Sequence, residues 1–210
     1  MNQESELKFT FSAADDKALR SYLNKCTSAQ QSRHLINEYF DTAEKDLQRF
    51  RIGCRIRRWR TEQGMEAEQT IKLAGTVNNG LHQRPEYNLP ATDLQTPDLT
   101  SFPADIWPSD MDISVINKEL LLQFSVDFER SIWIADFNSD NAENRIEIAL
   151  DDGFIRAGDQ TQRIYELELE LLSGSVDALR SFADQLNQSV HLTAFDESKA
   201  QRGYALMQGR

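Results

Sequence analysis

The stretch Tyr165-Glu166-Leu167-Glu168-Leu169-Glu170-Leu171 alternates apolar and acidic residues without a break. Side chains on an extended strand point alternately to opposite faces, so Tyr165, Leu167, Leu169 and Leu171 lie on one side and Glu166, Glu168 and Glu170 on the other. Glutamate is a poor strand former, and three on one face repel one another unless cations lie between them. A strand with this pattern predicts compensating positive charge nearby.

Working outward, the same arrangement recurs. In Glu4 to Phe11, Leu7, Phe9 and Phe11 oppose Glu4, Glu6 and Lys8. An expected strand from Arg49 to Trp59 sets Phe50, Ile52, Cys54 and Ile56 against Arg49, Arg51, Arg55 and Arg57. Thr70 to Ala74 sets Ile71 and Leu73 apart from Lys72, and Arg145 to Asp151 sets Ile146, Ile148 and Leu150 opposite Glu147 and Asp151. Phe128 to Ala135 alternates as well. The plainer explanation is an antiparallel sheet whose polar face is solvated. The alternative is a closed barrel lined by both signs of charge. There carboxylates hold hard divalent cations, while Arg55, Arg57, Lys72 and Lys8 form a cationic wall for a polyanion.

Helical spacing is expected from Asp15 to Cys26 behind a Ser12 cap, from Val176 to Leu186, before the strand at Phe128, and through Ser198 to Met207. Thr92 to Pro108 reads as a long loop. Strands with a few helices give an α+β or β-barrel class in one domain. Hydrophobic content of 40% and charged content of 27% fit a folded globular chain. The formal net charge of −11 disfavours nucleic acid and anionic membranes as partners. The opening Met1-Asn2-Gln3-Glu4 carries no leader pattern and no stretch is long and apolar enough to span a bilayer, so a cytoplasmic location is expected. Cys26 and Cys54 read as structural thiols, and His34, His82 and His191 lie at no metal-binding spacing. Trp59, Trp107 and Trp133 are expected outside the barrel. Asp41 is either a turn residue or a catalytic one.

Several blocks, in order, carry a resemblance. Glu4-Ser5-Glu6-Leu7-Lys8 matches an ExExK signature, Tyr39-Phe40-Asp41-Thr42 and Cys54-Arg55-Ile56-Arg57 resemble YFDT and LRIR, and Thr70-Ile71-Lys72 resembles TIK. Gln83-Arg84-Pro85-Glu86-Tyr87 is similar to an RxE block, and Phe128-Glu129-Arg130 to a strand arginine block. Glu147 to Gly153, Glu166 to Leu171 and Ser198 to Tyr204 resemble EIALDDG, ELELEL and SKAERGY. Together they resemble the CYTH superfamily of triphosphate tunnel metalloenzymes, from Met1 to about Leu206.

The resemblance implies an eight-stranded antiparallel β-barrel, open at both ends, with flanking helices. It implies metal ligation by Glu4, Glu6, Glu168 and Glu170, with Glu166 an outer candidate. Glu147 and Asp151 would either ligate a second ion or pair with Arg145 or Arg130. Phosphate contacts fall to Lys8, Arg55, Arg57, Lys72, Arg84 and Arg130, joined from the C-terminal helix by Lys199 and Arg202. Mg²⁺ or Mn²⁺ is the expected cofactor, one ion bridging phosphates and a second activating water. Tripolyphosphate is the expected substrate, cleaved to pyrophosphate and orthophosphate. A class IV-type adenylate cyclase, a thiamine triphosphatase and a non-catalytic polyphosphate-binding module are the alternatives. Bacterial inorganic triphosphatases are the nearest subgroup, and their CYTH domain often precedes a helical CHAD domain. With the sequence ending at Arg210, an isolated catalytic domain, natural or excised, is expected.

Overall fold

The computed structural model describes residues 2–27, 30–139 and 142–209. Ten strands are found among them: β1 (Asn2–Phe11), β2 (Gln30–Asp41), β3 (Gly53–Thr61), β4 (Gly64–Lys72), β5 (Thr76–Asn78), β6 (Leu81–Pro90), β7 (Leu121–Ser139), β8 (Ala142–Ala157), β9 (Gln160–Ser173) and β10 (Leu192–Ala194). Every pairing is antiparallel. The order β1-β9-β8-β7-β2-β3-β4-β6 returns to β1 through a β1–β6 pairing, closing an eight-stranded barrel. β5 and β10 are short additions on β6 and β1.

Register identifies the inward face. Lys8 pairs Glu168, Glu6 pairs Glu170, Glu147 pairs Glu170, Glu4 pairs Arg84, Lys72 pairs Glu86 and Arg57 pairs Asn37. All lie on one continuous surface, which closure turns inside. The alternate residues face out and are covered. Leu7, Ile146, Ile148, Leu167 and Leu169 pack beneath helix α1 (Asp16–Cys26) through Leu19 and Leu23. The same cluster holds Leu179, Phe182 and Leu186 of a helix near the C-terminus, Val176–Asn187. On the other side Cys54, Ile56 and Ile71 are covered by Leu99, Phe102 and Ile116 from the segment between β6 and β7. That segment is a loop with short helical turns, one capped by Asp98, whose carboxylate accepts from the Thr100 amide at 3.0 Å. The helix expected before Phe128 is a single turn, α3 (Ile113–Ile116), and β7 begins earlier, at Leu121.

Two expectations are corrected here. The strand expected from Arg49 starts only at Gly53, because residues 46–49 form the one-turn helix α2 (Asp46–Arg49). The carboxylate of Asp41, fully buried, accepts from the amides of Thr42 at 2.8 Å, Leu47 at 2.9 Å and Gln48 at 3.0 Å, which folds this segment back on β2. Arg51 then takes a left-handed φ of 59°. Asp41 is thus a turn organiser. Secondly, Trp59 shares a strand face with Arg55 and Arg57 and packs on an interior apolar cluster. Trp133 and Trp107 do lie outside, Trp133 donating to Asn24 Oδ1 at 2.7 Å.

That interior cluster occupies part of the barrel lumen. Phe124, Val126, Phe128, Ile155 and Ile164 face inward on β7, β8 and β9 and pack with Ala200, Tyr204 and Leu206. These last three residues lie on a C-terminal helix, Lys199–Met207, capped by Ser198 in a reciprocal bond with Gln201. With the helix at Val176–Asn187 as α4, this one is α5. Its Gly203 lies against the Phe124 ring, where an added Cβ would stand 2.2 Å from Cε2. The lumen is therefore hollow and charged along one part of the β7–β9 wall and filled along the other.

Candidate active site

The hollow part is a cavity of about 370 Å³ whose lining includes Glu4, Glu6, Lys8, Arg55, Arg57, Lys72, Arg84, Arg130, Glu147, Glu168, Glu170 and Lys199. Twelve of the residues expected to act therefore border one space, brought from seven different strands and α5. Asp151, Arg202 and the outer candidate Glu166, the remaining three, are buried outside that lining.

Opposite charges in the lumen sort into three zones. The first is charge-balanced and lies against α5. Asp151, wholly buried, holds Arg130 through two bonds of 2.7 Å and receives Lys199 at 2.6 Å. Arg130 also reaches Glu168 at 2.6 Å, Lys8 and Lys199 both bond Glu168, and Lys199 and Arg202 both bond Glu166. Burial alone would raise the Glu168 and Asp151 carboxyls. The cations win, Lys199 and Lys8 on Glu168 and Arg130 and Lys199 on Asp151, and hold both carboxyls below their ordinary values. Asp151, Glu166 and Glu168 bring ligand atoms within 4.8 Å of one another, as a metal site would. Their oxygens are committed to four cationic side chains, so this cluster locks α5 into the barrel.

The second zone is also paired. Glu4 accepts from Lys72 at 2.5 Å and from Arg84 Nε at 2.6 Å, and Lys72 reaches Glu86 at 2.7 Å. Burial would raise Glu86, but Lys72 and Arg55 hold it well below the usual carboxylate range. Glu86, in the RxE-like block, is a lumen residue to which the sequence pattern assigns no role. Its i, i+2 spacing from Arg84 is the signal that places both on the lumen face.

In the third zone the charges are paired only at long range or not at all, and they stand on opposite walls. Glu6 meets its nearest cations only at 3.6 Å (Arg84) and 3.8 Å (Lys8), and Glu147 reaches Arg130 only at 4.0 Å. Glu170 has no ion pair among the described residues, and burial, with Glu4 and Glu6 beside it, pushes its carboxyl up to about 7. Three acids on β1, β8 and β9 thus lack full compensation. Across the barrel, Arg57 donates to Asn37 Oδ1 at 2.9 Å and has no carboxylate partner among the described residues. Burial, then the neighbouring charges of Arg55 and Arg130, lowers it to about 10. Arg55 finds only Glu86, at 3.9 Å, and its buried Nε has no hydrogen-bond partner. In the eight-strand ring β3 lies four places from β9, directly across the lumen.

Uncompensated carboxylates facing inward suit a hard cation with oxygen ligands. Uncompensated guanidinium groups facing them suit an anion that such a cation can bridge. Tyr39, Gln48, Arg51, His82 and Glu68 also border the cavity, and none was singled out for a role from the sequence. The register of β2 against β3 puts Tyr39 beside Arg55. Burial would raise its phenol, but Arg55, Lys199 and Lys72 together lower it.

The CYTH domain family model matches residues 2–204. An inorganic triphosphatase of Haemophilus influenzae is 36% identical over 211 residues, an alignment covering 98% of this chain and 55% of that protein. The chain therefore spans about half the length of this relative. A Hippeastrum structure, described as a putative adenylyl cyclase that reveals a dominant triphosphatase activity, superposes with a TM-score of 0.65 at 17% identity, covering 98% of this chain and 95% of its own. A Pyrococcus horikoshii OT3 structure superposes with a TM-score of 0.60 at 15% identity, covering 99% of both chains. At these identities the likeness is one of fold. With the family match over nearly its whole length and a closed eight-stranded barrel around a doubly charged lumen, this chain belongs to the CYTH domain family.

Proposed function

We propose that this chain is a divalent-cation-dependent inorganic triphosphatase that converts tripolyphosphate and water to pyrophosphate and orthophosphate. The observation that carries this reading is the opposition of under-compensated carboxylates on β1, β8 and β9, Glu170 among them with no ion pair, to under-compensated arginines on β3 across the described lumen. The 36% identity to a protein named inorganic triphosphatase supports the choice of substrate.

Glu6 and Glu170, with Glu4 and Glu147 beside them, are the residues that would hold Mg²⁺ or Mn²⁺. The ion, when bound, supplies charge neutralisation at the phosphates and a more acidic water. Arg57 and Arg55, helped by Lys72 and Arg84, bind the phosphate chain and stabilise charge on its equatorial oxygens as the bridging P–O bond breaks. Lys8, Arg130 and Lys199 stand beyond them, already engaged with Glu166, Glu168 and Asp151. Water oxygen adds to the terminal phosphorus, the electron pair of the broken bond leaves on pyrophosphate, and a carboxylate takes the proton. The identity to a relative named inorganic triphosphatase favours hydrolysis over the cyclase alternative.

The test is an end-point assay on tripolyphosphate, ATP and thiamine triphosphate with Mg²⁺, Mn²⁺ or EDTA. Orthophosphate from tripolyphosphate that stops in EDTA supports the reading. Cyclic AMP from ATP with tripolyphosphate left intact replaces it.

A further inference from the structure

Inward positions on β3 run Arg57, Arg55, Gly53 at intervals of about 6.6 Å, two residues apart. The third has no side chain, and the row of guanidinium groups would end there. The chain instead turns back. Arg51, two residues before Gly53, adopts a left-handed φ of 59°, a backbone state that is unfavourable for a non-glycine residue. Its amide donates to Gln48 O at 2.9 Å and the Ile52 amide to Leu47 O at 3.0 Å, so the turn is fixed by α2. The result is that Arg51 borders the cavity, exposed where Arg55 is 8% exposed. Among the described residues no carboxylate lies within ion-pair distance of it.

We infer that Arg51 is a further substrate-binding residue, extending the β3 row of cations to the rim of the cavity, where it holds the outermost phosphoryl group of a triphosphate. The inference rests on the functional reading above and deepens it. Asp41 serves as a positioning residue, since its carboxylate organises the turn that aims Arg51. A two-phosphate ligand occupies the inner cations and falls short of the rim. The row therefore discriminates three phosphates from two, which favours substrate over the pyrophosphate it yields.

The experiment is titration calorimetry of tripolyphosphate and pyrophosphate in EDTA, so that nothing turns over, on the wild type, Arg51→Asn and Arg51→Lys. Asparagine tolerates the left-handed backbone, and Arg51→Gly serves in its place if Arg51→Asn melts early. The expected result is a roughly tenfold loss of tripolyphosphate affinity in Arg51→Asn, partly restored in Arg51→Lys, with pyrophosphate affinity changed less than about twofold. Equal losses for both ligands, no loss for either, or a wild type that binds neither overturns the inference. Parallel hydrolysis assays separate the two levels. A wild type that binds tripolyphosphate but does not cleave it with Mg²⁺ or Mn²⁺ overturns the hydrolase reading and leaves the cation row standing.

Discussion

Glu6 on β1 and Glu170 on β9 are register partners, side by side on the inner face of the barrel with no cation closer than 3.6 Å to Glu6 and none paired to Glu170. Like charges directly opposite on neighbouring strands destabilise a sheet. Burial adds to this, and the Glu170 carboxyl is pushed up to about 7. A group whose folded value is raised contributes stability that is full below its unfolded value, near 4.5, and lost as pH rises through about 7. The metal-free protein should therefore gain from Glu170→Gln at pH 8, by on the order of 3 °C in Tm, and gain little at pH 4, below the unfolded value. Differential scanning calorimetry in EDTA at both pH values reads the difference. A variant less stable than wild type at pH 8 contradicts this electrostatic account.

The same carboxylate links cation binding to pH. Because a ligand must shed its proton first, Mg²⁺ or Mn²⁺ affinity should fall by up to about tenfold per unit below pH 7. Glu170→Gln should weaken binding and flatten that slope. Isothermal titration with Mn²⁺ between pH 5.5 and 8.5 measures both.

Arg57 and Arg130 both line the lumen, yet their substitutions should differ in kind. Arg130 is bound to Asp151 by two bonds of 2.7 Å, so Arg130→Gln strands a carboxylate that is fully buried and should cost about 3–5 kcal/mol of stability. Arg57 faces Arg55 and Arg130 with no carboxylate partner among the described residues. Arg57→Gln should leave Tm unchanged or raised while lowering kcat/KM for tripolyphosphate about 100-fold. Urea melts and steady-state kinetics on the two variants separate these outcomes.

Asp41 connects β2, α2 and α5: besides three backbone amides, it accepts from Tyr204 Oη at 3.2 Å. Asn at this position keeps one acceptor oxygen and adds an amide that meets donors. Asp41→Asn should therefore cost about 2–4 kcal/mol, against about 1 kcal/mol for Tyr204→Phe. Chemical denaturation gives both, and equal costs would show that the backbone amides do not depend on the carboxylate.

The alternation from Tyr165 to Leu171 and from Glu4 to Phe11 made β9 and β1 legible, because one face is ionic and the other apolar throughout. β2 was legible only as a motif at its end, since its inward side mixes Asn37, Tyr39 and Leu35 and so shows no clean contrast. Pro85, which has no amide to donate, broke the strand pattern of β6, although the strand runs through it paired with Gln3. The start of β3 was misplaced because Phe50 and Ile52 continue the alternation while the Asp41 carboxylate, ten residues away in sequence, folds that segment into a turn. Residue types marked the acids and bases of the site. Which of them neutralise one another and which are left unmatched depends on register across the barrel, which a sequence does not display.

Crystals grown with Mn²⁺ and tripolyphosphate, measured at the manganese absorption edge, test the central claim most directly. The account predicts anomalous density at Glu6 and Glu170, with phosphate density against Arg57 and Arg55 and the Asp151–Arg130–Lys199 cluster unchanged. Manganese bound instead among Asp151, Glu166 and Glu168, with their cations displaced, or no manganese in the lumen at all, would contradict it.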